Sequence, residues 1–167
     1  MALHDDLLAQ ADLLAHADKK KPKQANLRRA VSASYYGLFH LLVDESTRFL
    51  ISGKHREAMR HQLARSFDHA HMKKTAQAFV APSPGGNAWR TVLRAAPSAA
   101  LVDLASAFIV LQEARHEADY DLARVFTRVG VEALVARAQT AFKSWASVTG
   151  QEEGDAFLVA LLVRGRT

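Results

Sequence analysis

The chain contains no cysteine. Disulfides, thiolate metal sites and a cysteine nucleophile are therefore excluded, which fits a reducing cytoplasm. Proline and glycine are scarce, four and eight in 167 residues, and they cluster in short breaks. With alanine and leucine dominating between those breaks, this is the composition of an all-α protein, a helical bundle, expected as one domain over 1–167. No apolar run approaches the roughly 20 residues needed to cross a bilayer, and no basic, apolar, small-residue signal opens the sequence. A soluble, cytoplasmic protein with no membrane partner is expected. Acidic residues are outnumbered: 22 Lys and Arg against 17 Asp and Glu leave a formal charge of +5. The sequence pI of about 9.7 favours anionic partners such as nucleic acid or nucleotides.

Two familiar chemistries lack their motifs. Gly85 and Gly86 are not followed by the Gly-Lys-Ser/Thr of a phosphate loop, so nucleotide hydrolysis has no support. His55, His61, His69 and His71 are numerous for one segment, but no His-Glu-x-x-His pattern organises them. His69 and His71 point about 200° apart on a helix and cannot chelate together. Asp68 can meet His71 at i, i+3, but a third ligand is missing, so neither a metal nor another cofactor is expected.

The stretch that orders the rest is Leu27 to Val43. On a helix, Leu27, Ala30, Val31, Ser34, Leu38, Leu41 and Leu42 form one apolar or small stripe that can seat in a core. The opposite side carries Arg29, Ser32, Tyr36 and His40, with Arg28, Phe39 and Val43 beside them. Such aromatic residues have little reason to face bulk water, so this side lines a cleft or meets another subunit. The alternative is a core helix with Tyr36 and His40 hydrogen-bonded at its rim.

In chain order, a first helix is expected over about Asp5 to Asp18. The basic knot Lys19, Lys20, Lys21, Pro22, Lys23 follows, either a solvated linker or a contact for phosphates, and Pro22 opens the central helix, which runs to Leu50 before Ser52 and Gly53. A third helix over about Lys54 to Val80 repeats Met59, Leu63, Phe67, Ala70 and Phe79 inward. From Ala81 to Pro97 the composition shifts to proline and glycine, a loop insertion anchored by Trp89 and suited to a lid. Ser98 caps the fourth helix, in which Leu101, Leu104, Ala105, Phe108 and Leu111 hold one face. Arg115 and Asp119, four apart near its end, can pair. Asp119 or Asp121 caps the fifth helix, Leu122 to Ser147, with Phe126, Val129, Leu134, Ala138, Phe142 and Trp145 inward. Gly150 ends it. A short tail helix at 151–163 carries Phe157, Leu158, Leu161 and Leu162, which must dock on the bundle or on a partner subunit.

Two of these segments carry a resemblance. Arg28 to His40, RRAVSASYYGLFH, resembles the second-helix signature of the HEPN superfamily (higher eukaryotes and prokaryotes nucleotide-binding domain). Arg115 to Leu122, RHEADYDL, is similar to the Arg-x-x-Ala-Asp-Tyr segment of one bacterial branch of it. The resemblance covers most of Leu3 to Trp145. It implies an up-and-down bundle of four or five long helices plus short accessory ones, a homodimer, and polar residues gathered at the dimer cleft. Many members bind or act on RNA or nucleotides, several as ribonuclease toxins, and others pair with a nucleotidyltransferase encoded beside them, which points to a toxin–antitoxin-like or defence setting. Carried onto this chain, the ligand-binding set comprises Arg28, Arg29, Tyr36 and His40 from the central helix and Arg115, Asp119 and Tyr120 from the fourth.

Catalytic members follow the arginine, after a gap of four to six residues, with a histidine; the reaction is metal-free and needs a general acid or base and a cation for the phosphorane. This chain departs from that pattern. The positions five to seven after Arg115 are Tyr120, Asp121 and Leu122, while His116 is adjacent and projects about 100° away around the helix. A ribonuclease would have to recruit His40 or His116 with Arg29 or Arg115. Three readings result: a non-catalytic binding module for nucleotide, RNA or a nucleotidyltransferase partner, a metal-independent ribonuclease of toxin type, and a purely structural dimerisation module.

Overall fold

The computed structural model describes residues 2–81 and 93–164, and among them every regular element is a helix. In order these are α1 (Leu3–Ala15), α2 (Gln24–Leu50), α3 (Glu57–Ala64), α4 (His69–Val80), α5 (Ala99–Tyr120), α6 (Arg128–Val148) and α7 (Glu152–Ala160). The expected all-α class holds, with five longer helices and two short ones among the described residues. No described helix is long and apolar enough to cross a membrane. The chain divides into two compact units, Met1–His40 with Ala107–Lys143, and Leu41–Ser106 with Ser144–Thr167.

The first unit is built on α1, the start of α2, the end of α5 and the start of α6. Small and branched side chains let these helices approach closely: Ala11, Ala15, Leu27, Ala30, Val31, Ala118, Val131 and Val135 form one buried cluster. Gly37 marks the contact of α2 with α1, since a β-carbon there would sit 3.4 Å from the His4 carbonyl oxygen. Helix α5 runs antiparallel to α2, because Tyr36 meets Arg115 while Ser32, four residues back, meets Asp119, four residues on. The central helix is buried on nearly all sides between Leu27 and Val43, with Arg29 exposed and Arg28, Tyr36 and His40 half-buried.

The second unit packs larger side chains. Phe79, Leu101, Leu104, Phe157 and Leu161 are fully buried, and the rings of Phe79 and Phe157 meet edge to face at 5.0 Å. The tail helix α7 therefore docks within its own unit. Its last turn is held from α4, where His71 Nε2 and Thr75 Oγ1 lie 3.1 and 3.2 Å from the Ala160 carbonyl oxygen. Ser98 Oγ accepts from the Leu101 N–H and caps α5 as expected. Gly53 and Gly150, at φ 108° and 74°, supply the left-handed turns that close α2 and α6.

Two expectations change. The single helix over 54–80 is two helices, broken at 65–68, where Asp68 is extended and its carboxylate accepts from the His71 N–H. A capping aspartate restarts the helix and resets its phase. Ala70 consequently faces solvent, and Met72, Thr75, Ala76 and Phe79 are the buried set of α4, while α3 fully buries none of its residues and leaves Met59 exposed. The fifth expected helix begins at Arg128, not Leu122. Asp119 lies inside α5, Asp121 accepts from the Ala123 and Arg124 N–H groups in a turn, and Thr127 is the residue whose Oγ1 accepts from Gly130 at the start of α6. The inward frame of α6 is Val131, Val135, Ala138 and Trp145, so Val129 is exposed. Most of the loop expected at 81–97, with Trp89 and its glycines, lies outside the described residues.

Candidate functional site

The seam between α2 and α5 in the first unit brings together residues from both ends of the sequence resemblance. Arg115 NH2 donates to the Tyr36 hydroxyl at 2.8 Å, across 79 residues of chain. Its Nε lies 2.7 Å from Asp119 Oδ2, an ion-pair contact without the alignment of a hydrogen bond. Asp119 Oδ1 in turn accepts from Ser32 Oγ at 2.8 Å. The guanidinium carbon is 5.4 Å from the centre of the Tyr36 ring, 5.7 Å from that of Tyr120 and 6.0 Å from that of Tyr35. Arg115 is thus held from several directions, with its side chain 18 % exposed and that of Asp119 26 % exposed. Burial works against its charge, but the Tyr36 hydroxyl, Asp119 and Tyr120 outweigh this and hold its pKa above the usual arginine range. It is a permanent cation whose charge is matched by its neighbour. No protein-family model matches this chain, and neither the curated proteins nor the solved structures contain a match to it.

The histidines flank this cluster. His40 is half-buried one turn beyond Tyr36, its ring 6.3 Å from that of Tyr36 and 5.3 Å from that of Phe39. His116 is exposed and packs its ring 5.0 Å from that of Tyr120, which is itself 64 % exposed. Tyr120 and His116 therefore offer an open pair of rings beside a fixed guanidinium, a surface on which a planar base can stack.

Arg28 has a different position from the others. Its guanidinium donates to the carbonyl oxygens of Ala118, Asp121 and Arg124, at 2.8, 2.9 and 2.5 Å, and lies 5.8 Å from the centre of the Phe126 ring. It closes the C-terminal end of α5, where free carbonyls attract a cation, so its donors are committed within the protein. Gln24 does the same for Phe126, accepting from its N–H at 2.9 Å and donating to its carbonyl at 2.7 Å. Arg29 is exposed one turn before Ser32 and points its charge to solvent.

The ligand set read from the sequence omitted two residues. Ser32 shares the stripe of Arg29, Tyr36 and His40, and its spacing was the available signal. Tyr35 is fully buried with its ring 5.3 Å from that of Tyr36 and 5.6 Å from that of Phe108, forming the floor under Arg115. Among the described residues no group of three or more His, Asp or Glu side chains could hold a metal ion. A groove of about 450 Å³ lies on another face of α5, lined mainly by apolar atoms of Val110, Ala114, Val125, Phe126 and Leu134. It shares no residue with the Arg115 cluster.

Proposed function

We propose that the chain is a HEPN-like helical module that binds a nucleotide or RNA at the Arg115 cluster and does not cleave it. The observation that carries this reading is the hydrogen bond from Arg115 to Tyr36, which makes neighbours of the two segments whose joint presence suggested the family. Supporting it, Tyr120 and His116 stand open for base stacking beside a guanidinium that is preorganised by Tyr36 and Asp119.

The ribonuclease reading is weaker for an electrostatic reason. A catalytic arginine must deliver uncompensated charge to the developing phosphorane. Arg115 instead already faces a carboxylate and a phenol. The family resemblance also brings a homodimer and a nucleotidyltransferase partner. Leu122, Val125 and Val129, all well exposed, are the apolar surface that a second copy would cover in the first unit.

The test is binding of AMP and of short single-stranded RNA, alongside incubation with total RNA in chelator. Tyr36→Phe removes one hydrogen bond to Arg115 and is expected to weaken AMP binding about fivefold, and Arg115→Ala to weaken it further, with RNA left intact by the wild type. Robust metal-free cleavage that Arg115→Ala abolishes would reverse the preference and establish the toxin-type ribonuclease.

A further inference from the structure

The Arg115 cluster can stack a base and hydrogen-bond a ligand, but its charge is matched by Asp119, so it supplies little net attraction for phosphate. The uncompensated cations of the first unit stand elsewhere. The connection between α1 and α2 presents Lys19, Lys20 and Lys21, exposed and without a carboxylate partner among the described residues, and Lys23, exposed and 3.9 Å from the Asp18 carboxylate. It is fixed in place. Asp18 Oδ2 accepts from the Lys23 N–H and from Asn26 Nδ2, each at 2.9 Å, and Arg128 donates to the Asp18 carbonyl oxygen. These hydrogen bonds hold the Asp18 carboxyl below the usual aspartate range.

Asp12 and Glu132 flank His16, at 3.7 and 3.2 Å, and Asp18 faces Lys23 at 3.9 Å. Among the described residues no carboxylate lies within ion-pair distance of Lys19, Lys20 or Lys21. Asn26, tied to this connection, is one turn before Arg29 on α2, and Arg29 is two turns before Tyr36 on the same stripe. From Lys23 to Tyr36 the helix rises about 20 Å. A mononucleotide at the cluster cannot reach the lysines, whereas a strand several nucleotides long can.

We infer that Lys19, Lys20, Lys21, Lys23 and Arg29 form the phosphate track of a single-stranded RNA whose terminal base is held at Tyr36, Arg115 and Tyr120. The inference rests on the nucleotide reading of the cluster and goes beyond it, by assigning the Coulombic share of binding to residues the cluster does not contain. RNA is favoured over an anionic lipid surface because the line ends on the exposed rings of Tyr120 and His116, which stack bases.

The experiment compares the full chain with the variant K19A/K20A/K21A/K23A, all four changes being at exposed positions. Anisotropy of a labelled 12-nucleotide mixed-sequence RNA is read between about 50 and 200 mM salt, AMP binding by calorimetry, and folding by circular dichroism. The expected result is a loss of about tenfold or more in RNA affinity at low salt, with the slope of log affinity against log salt shallower by roughly two. AMP affinity stays unchanged. Equal RNA affinity and slope in both proteins would overturn the track. So would a wild type that binds AMP but gains nothing from the longer strand, in which case the cluster reading survives alone. RNA binding that needs the lysines yet ignores Tyr36→Phe and Arg115→Ala overturns the shared path and, separately, the cluster reading. Wild-type binding to phosphatidylserine vesicles in preference to the RNA, lost with the lysines, replaces the strand by a lipid surface.

Discussion

In the first unit, the contacts that join α2 to α5 at the candidate site run between side chains, Tyr36 with Arg115 and Ser32 with Asp119, and Arg115 pairs with Asp119 within α5. In the second unit, the polar contacts that seat the last turns of α7 end on main-chain carbonyls, from Thr75 and His71 to Ala160 and from Ser46 to Leu158 at 3.4 Å, while at its first turn Glu153 accepts from the Ser98 N–H at 2.7 Å and Glu152 lies 3.8 Å from Arg94. What surrounds them there is close apolar packing of Phe79, Phe157 and Leu161. Both units use polar groups to finish helices, as Arg28 does for α5, and the first in addition concentrates interacting side chains at a place still reachable from solvent. Stability alone asks only for the former. The arrangement of charged and aromatic groups beside open rings is where the proposed ligand site is placed.

The second unit is expected to be sensitive to shape. A β-carbon on Gly154 would fall far inside contact distance of the Val148 carbonyl oxygen, and main chain cannot step aside. Gly154→Ala is expected to cost about 2–3 kcal/mol in urea unfolding. Gly37→Ala is the control, since its new methyl would make ordinary contacts with α1 and gains helix propensity, and the change should stay within about 1 kcal/mol. Equal effects of the two substitutions would break the comparison.

The first unit should be sensitive to the loss of donors. Arg28→Ala strips three carbonyls of their partner and is expected to cost about 2 kcal/mol. Arg29→Ala, one position on, should change stability by less than about 0.5 kcal/mol while weakening RNA binding. A stability loss from Arg29→Ala as large as that from Arg28→Ala would show that the exposed arginine is structural too.

The smallest effect is acid sensitivity at the α1–α2 connection. The Asp18 carboxyl has a lowered pKa in the folded protein, chiefly because the Lys23 N–H and Asn26 donate to it. Its unfolded counterpart binds a proton first as pH falls, so its stabilisation is complete above the ordinary aspartate value and is lost as pH drops through the folded value. Thermal unfolding followed from pH 5 downwards should therefore fall less steeply in Asp18→Asn than in the wild type, and parallel curves would remove Asp18 from the account.

Much of this molecule is local in origin. The two-sided pattern of α2, the stop at Gly150, the Ser98 cap and the helical pairing of Arg115 with Asp119 all depend on residues within a turn or two, and each was legible from spacing. The break at 65–68 was also encoded, in Asp68, but a residue that suits both a metal pair and a helix cap does not announce which it serves. Similarly, Thr127 rather than Asp119 or Asp121 starts α6, because Asp119 is drawn into α5 by Arg115 and Ser32.

The sequence by itself determined that the chain is helical, where its main helices lie, and that two polar segments far apart in the chain stand out from the rest. Only the tertiary structure decided that these segments meet, that Arg28 is consumed by the end of α5 while Arg29 is left to solvent, and that Arg115 is charge-matched. The physical reason is range. Helical periodicity and capping act over three or four residues, whereas the partner of a guanidinium depends on which carbonyls and carboxylates the packed helices bring within hydrogen-bond distance, and no local pattern records that.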